Sequence, residues 1–352
     1  QYGRAEELYE KALRLEQQRS PDRKTAAAIP GTAYTAALDG YLRALVLGAG
    51  EPGAGGGLWH PEKLNKVLDE GAKYTDTAYA AVAFYHMAEA KKKLGDASAA
   101  AEYCQNAVDK AWENEQLAVE VLRRVYSLMG AEEVSRYCRE RLGVDPDSLA
   151  ANRTMFNLAQ IEGRYDDAVA YIDKCIELCD ARAPARIEYL LQKAQVLTVA
   201  HEQTADNTYL DEAIAVYESL LDRMPKNSSV LNNLAYLLAQ SDRKLAEALK
   251  YAGMAVEQGP DNAVYLDTYA YVLYKNGRNS EAAQSLAAAI QQYEMAGTAP
   301  AEVYEHLGMI SEALGEKTRA LAAYRRAWEV ADETMPAAAQ ERLDAAIERL
   351  KP

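Results

Sequence analysis

The sequence predicts an all-α protein, a right-handed α-α superhelix (solenoid) of about seven to eight helical hairpins with a C-terminal capping helix. A glycine-centred turn returns along the chain at near-regular spacing. Small and large apolar residues follow each turn at helical intervals. No alternation of period two appears anywhere, so no strand is expected.

The turns are Gly95-Asp96, Gly130-Ala131, Gly163-Arg164-Tyr165, Gly277-Arg278 and Gly315-Glu316. Glycine suits them because it adopts the left-handed backbone that ends one helix before the next begins. Five residues after each comes a small residue: Ala100, Ser135, Ala168, Ala282 and Ala320. Two further repeats with altered turns place Ala213 and Ala248 there, and successive spacings run from 33 to 45 residues. Four residues later stand Cys104, Arg139, Ile172, Tyr217, Ala252, Leu286 and Tyr324. Three beyond those come Ala107, Leu142, Cys175, Leu220, Ala255, Ala289 and Ala327. Steps of four and three put these anchors on one face of a second helix. The preceding first helices carry a small residue in mid-helix, Ala235, Ala270 or Gly308, between large neighbours. A small residue there lets the partner helix approach closely. Pro225 and Pro260 stop two of the second helices.

These segments resemble tetratricopeptide repeats, and "LDTYAYVLYKNGRNSEAAQSLAAAI" is similar to repeats of long bacterial multi-repeat proteins. Arg123 and Phe156 depart from the pattern by replacing the small mid-helix residue, and Arg139 stands where an aromatic is usual. Looser packing or a shifted register is expected in those two repeats. The reading gives one solenoid over 1–352, with a half repeat at 1–20 whose helix has anchors Ala5, Tyr9 and Ala12 and lacks its partner. A divergent repeat follows at 24–75, with a glycine-rich insert at 48–60 and a second helix from about 61 to 74. Seven repeats cover 81–332, and a capping helix 335–350.

Composition narrows the function. A net charge of −14 opposes nucleic-acid binding, which needs basic surface to displace counterions. The basic runs at Lys91–Lys93 and Arg123-Arg124 are short. No apolar run reaches a membrane-spanning length. The compartment stays open for a soluble chain, with the cytoplasm placed ahead of the periplasm. Four cysteines in 352 residues make no disulfide framework. Cys175 and Cys179 lie four apart without a completing ligand pair, so they read as structural thiols. The histidines His60, His86, His201 and His306 form no metal motif, and no nucleophile elbow, P-loop or kinase signature is present. Gly48-Ala49-Gly50-Glu51-Pro52-Gly53 matches GxGxxG but follows a helix and contains proline, so it reads as a loop. No catalysis, cofactor or metal is expected.

What the resemblance implies is a concave wall built by the first helices, with defined repeat positions facing it. Mapped here, those positions hold Tyr85, His86, Glu89 and Lys92; Glu120, Arg124 and Ser127; Arg153, Asn157 and Gln160; Gln192 and Gln195. Further on they hold Asn232, Asn233, Tyr236 and Gln240; Asp267, Tyr271 and Tyr274; Glu305, His306 and Met309. Arginine clasps a carboxylate with two parallel bonds, and asparagine both donates to and accepts from a peptide backbone. Arg124, Arg153, Asn157 and Asn233 are therefore the candidates for an extended peptide or acidic tail, with Gln195 and Asn232 beside them. Tyr236, Tyr271 and Tyr274 are candidates for an aromatic hot spot. The function expected is a non-catalytic scaffold for a protein or extended-peptide partner. The alternative is a regulatory or substrate-recruiting arm of a larger multidomain enzyme. Self-association through the end repeats is a third option.

Overall fold

The computed structural model describes residues 2–19, 33–51, 59–297, 299–331 and 335–351. Among them the chain forms eighteen α-helices, one 3-10 turn at Ala72–Tyr74 and no strand. They fall into two compact units, Gln1–Leu178 and Cys179–Pro352. The first holds α1 (Tyr2–Arg19), α2 (Ala33–Gly48), α3 (Pro61–Gly71), α4 (Ala80–Lys93), α5 (Ala97–Ala111), α6 (Glu115–Met129), α7 (Ala131–Val144), α8 (Leu149–Ile161) and α9 (Tyr165–Leu178). The second holds α10 (Pro184–Thr204), α11 (Asn207–Arg223), α12 (Ser228–Gln240), α13 (Leu245–Gln258), α14 (Ala263–Lys275), α15 (Asn279–Ala296), α16 (Ala301–Ala313), α17 (Lys317–Val330) and α18 (Ala337–Leu350). Consecutive helices from α4 onward pair as hairpins, and the first helices α4, α6 and α8, like α12, α14 and α16, also touch in succession.

The turns work as the glycine spacing implies. Gly95, Gly163, Gly277 and Gly315 have φ of +83, +69, +75 and +79°, a region that costs other residues strain. Asn114, Asn227 and Asn262 cap the starts of α6, α12 and α14 by accepting from backbone N–H groups left unpaired there. The small anchors are sealed: Ala100, Ala168, Ala213, Ala248, Ala282 and Ala320 are all fully buried.

The two irregular repeats resolve differently. The α6/α7 turn is the single residue Gly130, where α4/α5 uses Leu94, Gly95 and Asp96. Two residues fewer in the turn rotate the pair, and the buried stripe becomes Leu122 on α6 with Val134, Tyr137 and Cys138 on α7. Arg123 and Arg139 thereby reach solvent, so Ser135, Arg139 and Leu142 are not the anchors of this hairpin. In α8 the expected register holds instead, and Phe156 is buried in the small residue's place.

The helix at 2–19 finds its partner in the helix that follows it. The Tyr9 ring lies over Gly40 of α2, where an added Cβ would stand 2.4 Å from Tyr9 Cε1. Tyr324 of α17 meets Gly308 of α16 with the same 2.4 Å clearance. Glu6 ties α1 to α3 by accepting from Lys63 (3.1 Å) and Lys66 (2.9 Å). Residues 52–58 of the glycine-rich insert and 24–32 at the start of the divergent repeat lie outside the described residues. The insert's described ends are joined by His60 N–H donating to the Ala49 carbonyl at 2.8 Å.

α18 runs parallel to α16. Arg342 donates to Glu305 (3.0 Å) and Arg349 to Glu312 (2.8 Å), both across 37 residues of sequence. That offset places Glu341, Asp344, Ala345 and Glu348 where α16 has Tyr304, Leu307, Gly308 and Ser311. On α16, Gly308 meets Tyr324 and Tyr304 meets Arg326 of α17, whereas the α18 counterparts are exposed and mostly polar. A water-compatible outer face is what a capping helix needs.

Gly308→Ala should force the Tyr324 ring out of its seat and cost about 1–3 kcal/mol. Thermal unfolding followed by circular dichroism would show a lowered midpoint; an unchanged midpoint would mean the contact is loose.

Candidate functional site

In the first unit, α2, α4 and α6 wall a pocket of about 350 Å³. Its floor is apolar, with Ala36, Val82, Leu117 and Val121, and its wall carries Asp39, Tyr85, Glu120 and Arg124. His86 lies beneath it at 1% exposure. His86 Nε2 stands 2.8 Å from Asp39 Oδ1 and Nδ1 stands 2.7 Å from Glu89 Oε2. A ring with a carboxylate at each nitrogen carries both protons and donates twice. Burial alone would lower the His86 pKa, but the hydrogen bonds and charges of Asp39 and Glu89 outweigh it and raise it. Asp39 also accepts from Arg124, through Nη1 and through Nη2 at 3.0 Å. Burial would raise the Asp39 pKa, yet these two cations hold it well below the carboxylate range. Arg124 Nε donates to Glu120 at 2.8 Å, and the guanidinium lies 5.5 Å from the Tyr85 ring centre.

The second unit repeats the device and adds aromatic surface. His306, 4% exposed, donates from Nδ1 to Asp267 Oδ1 at 2.8 Å, while Nε2 is 3.9 Å from Glu302. Burial opposes its charge, but Asp267, Glu302 and Glu305 overcome this and raise the pKa to about 9. Tyr271 stacks on the His306 ring at 4.5 Å between centres. Tyr236 and Tyr274 flank Tyr271 at 5.7 and 6.3 Å. The Tyr236 hydroxyl donates to Glu302, joining α12 to α16 over α14. A second pocket of about 530 Å³ lies between Tyr274, Met309, Tyr324 and the Arg342 and Arg349 side chains of α18.

The predicted residues divide by what they already bind. Arg124 is committed to Asp39 and Glu120. Asn233 donates to the Tyr217 hydroxyl at 3.0 Å. Asn232 is buried, donating to Asn233 Oδ1 at 3.2 Å, with its own Oδ1 unpaired among the described residues. Tyr271 is buried, while Tyr236 and Tyr274 are half-exposed. Arg153 is half-buried and Asn157 and Gln195 are exposed; none has a hydrogen bond or ion pair among the described residues. The groove positions His86, Asp267, Glu305 and His306 are buried between helices rather than open.

Sequence reasoning missed Asp39, Glu202, Glu302 and Arg342. Arg342 could have been found by aligning the last helix on "EHLGMISEALGE" at a 37-residue offset. Asp39 could not, because its value comes from contacts with residues 47 and 85 positions away. Cys104, Cys138 and Cys175 are buried and Cys179 is half-buried. Burial pushes the Cys104 and Cys138 thiols up to about 12, which leaves them unreactive. Among the described residues no cluster is placed to hold a metal ion, and no helix is long and apolar enough to cross a membrane.

Two outcomes follow from this electrostatics. Because the His306 pKa is raised above its usual 6.5, its stabilisation is full below that value and fades as pH rises towards about 9. Urea midpoints measured across that window should fall in the native chain and fall less in Asp267→Asn. Arg124→Ala should cost about 1–2 kcal/mol, between an exposed and a buried ion pair, by leaving Asp39 to His86 alone. Denaturant unfolding would measure that loss, so lost binding in this variant is not evidence of contact with a ligand.

The repeat geometry agrees with comparisons to known proteins. A family model described as tetratricopeptide repeat matches residues 301–333, which is the α16/α17 hairpin. Among solved structures, a tetratricopeptide repeat protein from Parabacteroides merdae is 14% identical and has a TM-score of 0.48, covering 82% of this chain and 98% of its own. The pilF protein of Pseudomonas aeruginosa is 17% identical with a TM-score of 0.45, covering 68% and 98%. Yeast Tom70 is 14% identical with a TM-score of 0.41, covering 97% of this chain and 73% of its own. No curated protein matches in sequence. The match falls on the α16/α17 hairpin, and the hairpins, glycine turns and buried small anchors elsewhere in the chain are similar to that repeat.

Proposed function

We propose that the chain is a non-catalytic scaffold that holds an extended peptide, or a segment of a partner protein, against its first helices. The row Tyr236–Tyr271–Tyr274 carries this reading. Three rings lie side by side on α12 and α14 at interplanar angles of 42 and 33°, with the outer two partly exposed and the middle one stacked on His306. Rigid aromatic surface of this kind anchors partners at small entropic cost. The groups around it bind and orient: His306 is held by Asp267, and Glu305 by Arg342.

In the first unit, the open side chains of Arg153 and Asn157 supply donors on α8, and the 350 Å³ pocket accepts one apolar side chain. In the second unit, Gln195 and Tyr274 play the corresponding parts.

The test is affinity capture on the full chain, with Tyr236→Ala/Tyr274→Ala as the variant because both rings are half-exposed. Its circular dichroism should match the native chain, while affinity for a captured partner falls at least tenfold, about 1.4 kcal/mol. Equal affinity would remove these tyrosines from the contact.

A further inference from the structure

The α10 helix has 21 residues where α12, α14 and α16 have 13. Eight additional residues extend it by about 12 Å. The last turn of that extension carries Glu202, half-buried and close enough to Glu302 and Tyr236 for their charges to interact. Glu202 makes no hydrogen bond or ion pair among the described residues. The neighbouring His201 is turned away, with Nδ1 against the Asp206 carbonyl at 3.0 Å.

The charges around the tyrosine row do not balance. Asp267 is matched by His306 and Glu305 by Arg342. Lys275, 6.0 Å from the Tyr271 ring centre, is paired with Asp242 at 2.6 Å. Glu302 holds only the Tyr236 hydroxyl and a distant His306 nitrogen, and Glu202 holds nothing. The groups facing Glu202 are Glu302 from α16, Tyr236 from α12 and Tyr217 from α11, none of them a cation. Burial and the Glu302 charge push Glu202 up to about 7, as expected of a carboxylate lacking a counter-charge. Beside these two carboxylates the Tyr236 and Tyr271 faces offer the quadrupole that attracts a cation.

We propose that this face of the second unit docks a basic segment, with one lysine or arginine side chain lying along Tyr236 and its charge between Glu202 and Glu302. This rests on the tyrosine row being a peptide site and names the class of peptide it takes. The uncompensated carboxylates repel an acidic tail at this face, whatever the first unit binds.

The measurement is fluorescence anisotropy on the full chain with three dye-labelled Gly-Ser peptides, carrying three lysines, three glutamates or three glutamines, at low salt. The lysine peptide should bind about tenfold or more tighter than the glutamine peptide, and the glutamate peptide weakest. Glu202→Gln and Glu302→Gln should each weaken the lysine peptide about fivefold or more. Glu257→Gln/Glu294→Gln, which removes exposed charges from second helices, should leave it unchanged. Because the bound cation needs Glu202 ionised, native affinity should rise about tenfold from pH 6 to pH 8, and Glu202→Gln should abolish that rise.

Equal weakening by the Glu257/Glu294 variant would reduce the effect to the net charge of the chain and overturn the proposal. Equal binding of all three peptides, lost in Tyr236→Ala, would overturn the basic preference and leave the peptide site standing. Binding of none would remove both.

Discussion

Every feature of both units depends on the closeness of two helices at one point. Gly308 under Tyr324 and Gly40 under Tyr9 leave no room for a methyl group. Ala88, Ala235 and Ala270 are likewise fully buried at mid-helix. A small residue facing a ring sets how near the axes come. That distance then sets how far each first helix stands from the next. Where the turn is shortened at Gly130 the pair rotates, and a different set of residues seals it.

The spacing of first helices makes their polar contacts possible. Asp267 and Glu305 both lie three residues before the small residue of their helix, and each reaches the following first helix, to His306 and Arg342. In the first unit Asp39, directly before Gly40, reaches two helices, to His86 on α4 and Arg124 on α6. Buried ionic links of this kind contribute little net stability against a well-packed apolar alternative, but removing one partner is costly. They act as register pins between neighbouring repeats whose apolar contacts, made largely by alanine, discriminate poorly among alignments.

The same links decide which side chains remain for a partner. A first-helix residue can hold the array together or bind a peptide, and the charged ones mostly do the former. Arg124 and Asn233 are engaged within the array. Tyr236 and Tyr274 stay partly exposed, and Arg153, Asn157 and Gln195 keep their hydrogen-bonding capacity. In the second unit the extra turns of α10 bring a carboxylate to a place where nothing within the fold neutralises it.

The fold class was legible in the sequence because its causes are local. Glycine at Gly95, Gly163, Gly277 and Gly315, alanine four and seven residues from the next anchors, and asparagine before α12 and α14 each act within a few residues of themselves. The face of each first helix followed from the same period. What only the tertiary structure decided is the state of the groups on that face. His86 and His306 are charged and sealed because carboxylates from other helices meet them, and Arg124 is occupied because Asp39 lies 85 residues away in sequence and 3.0 Å away in space. The sequence counts charges along the chain. Their pairing is a three-dimensional property, set by how closely the small residues let the helices stack.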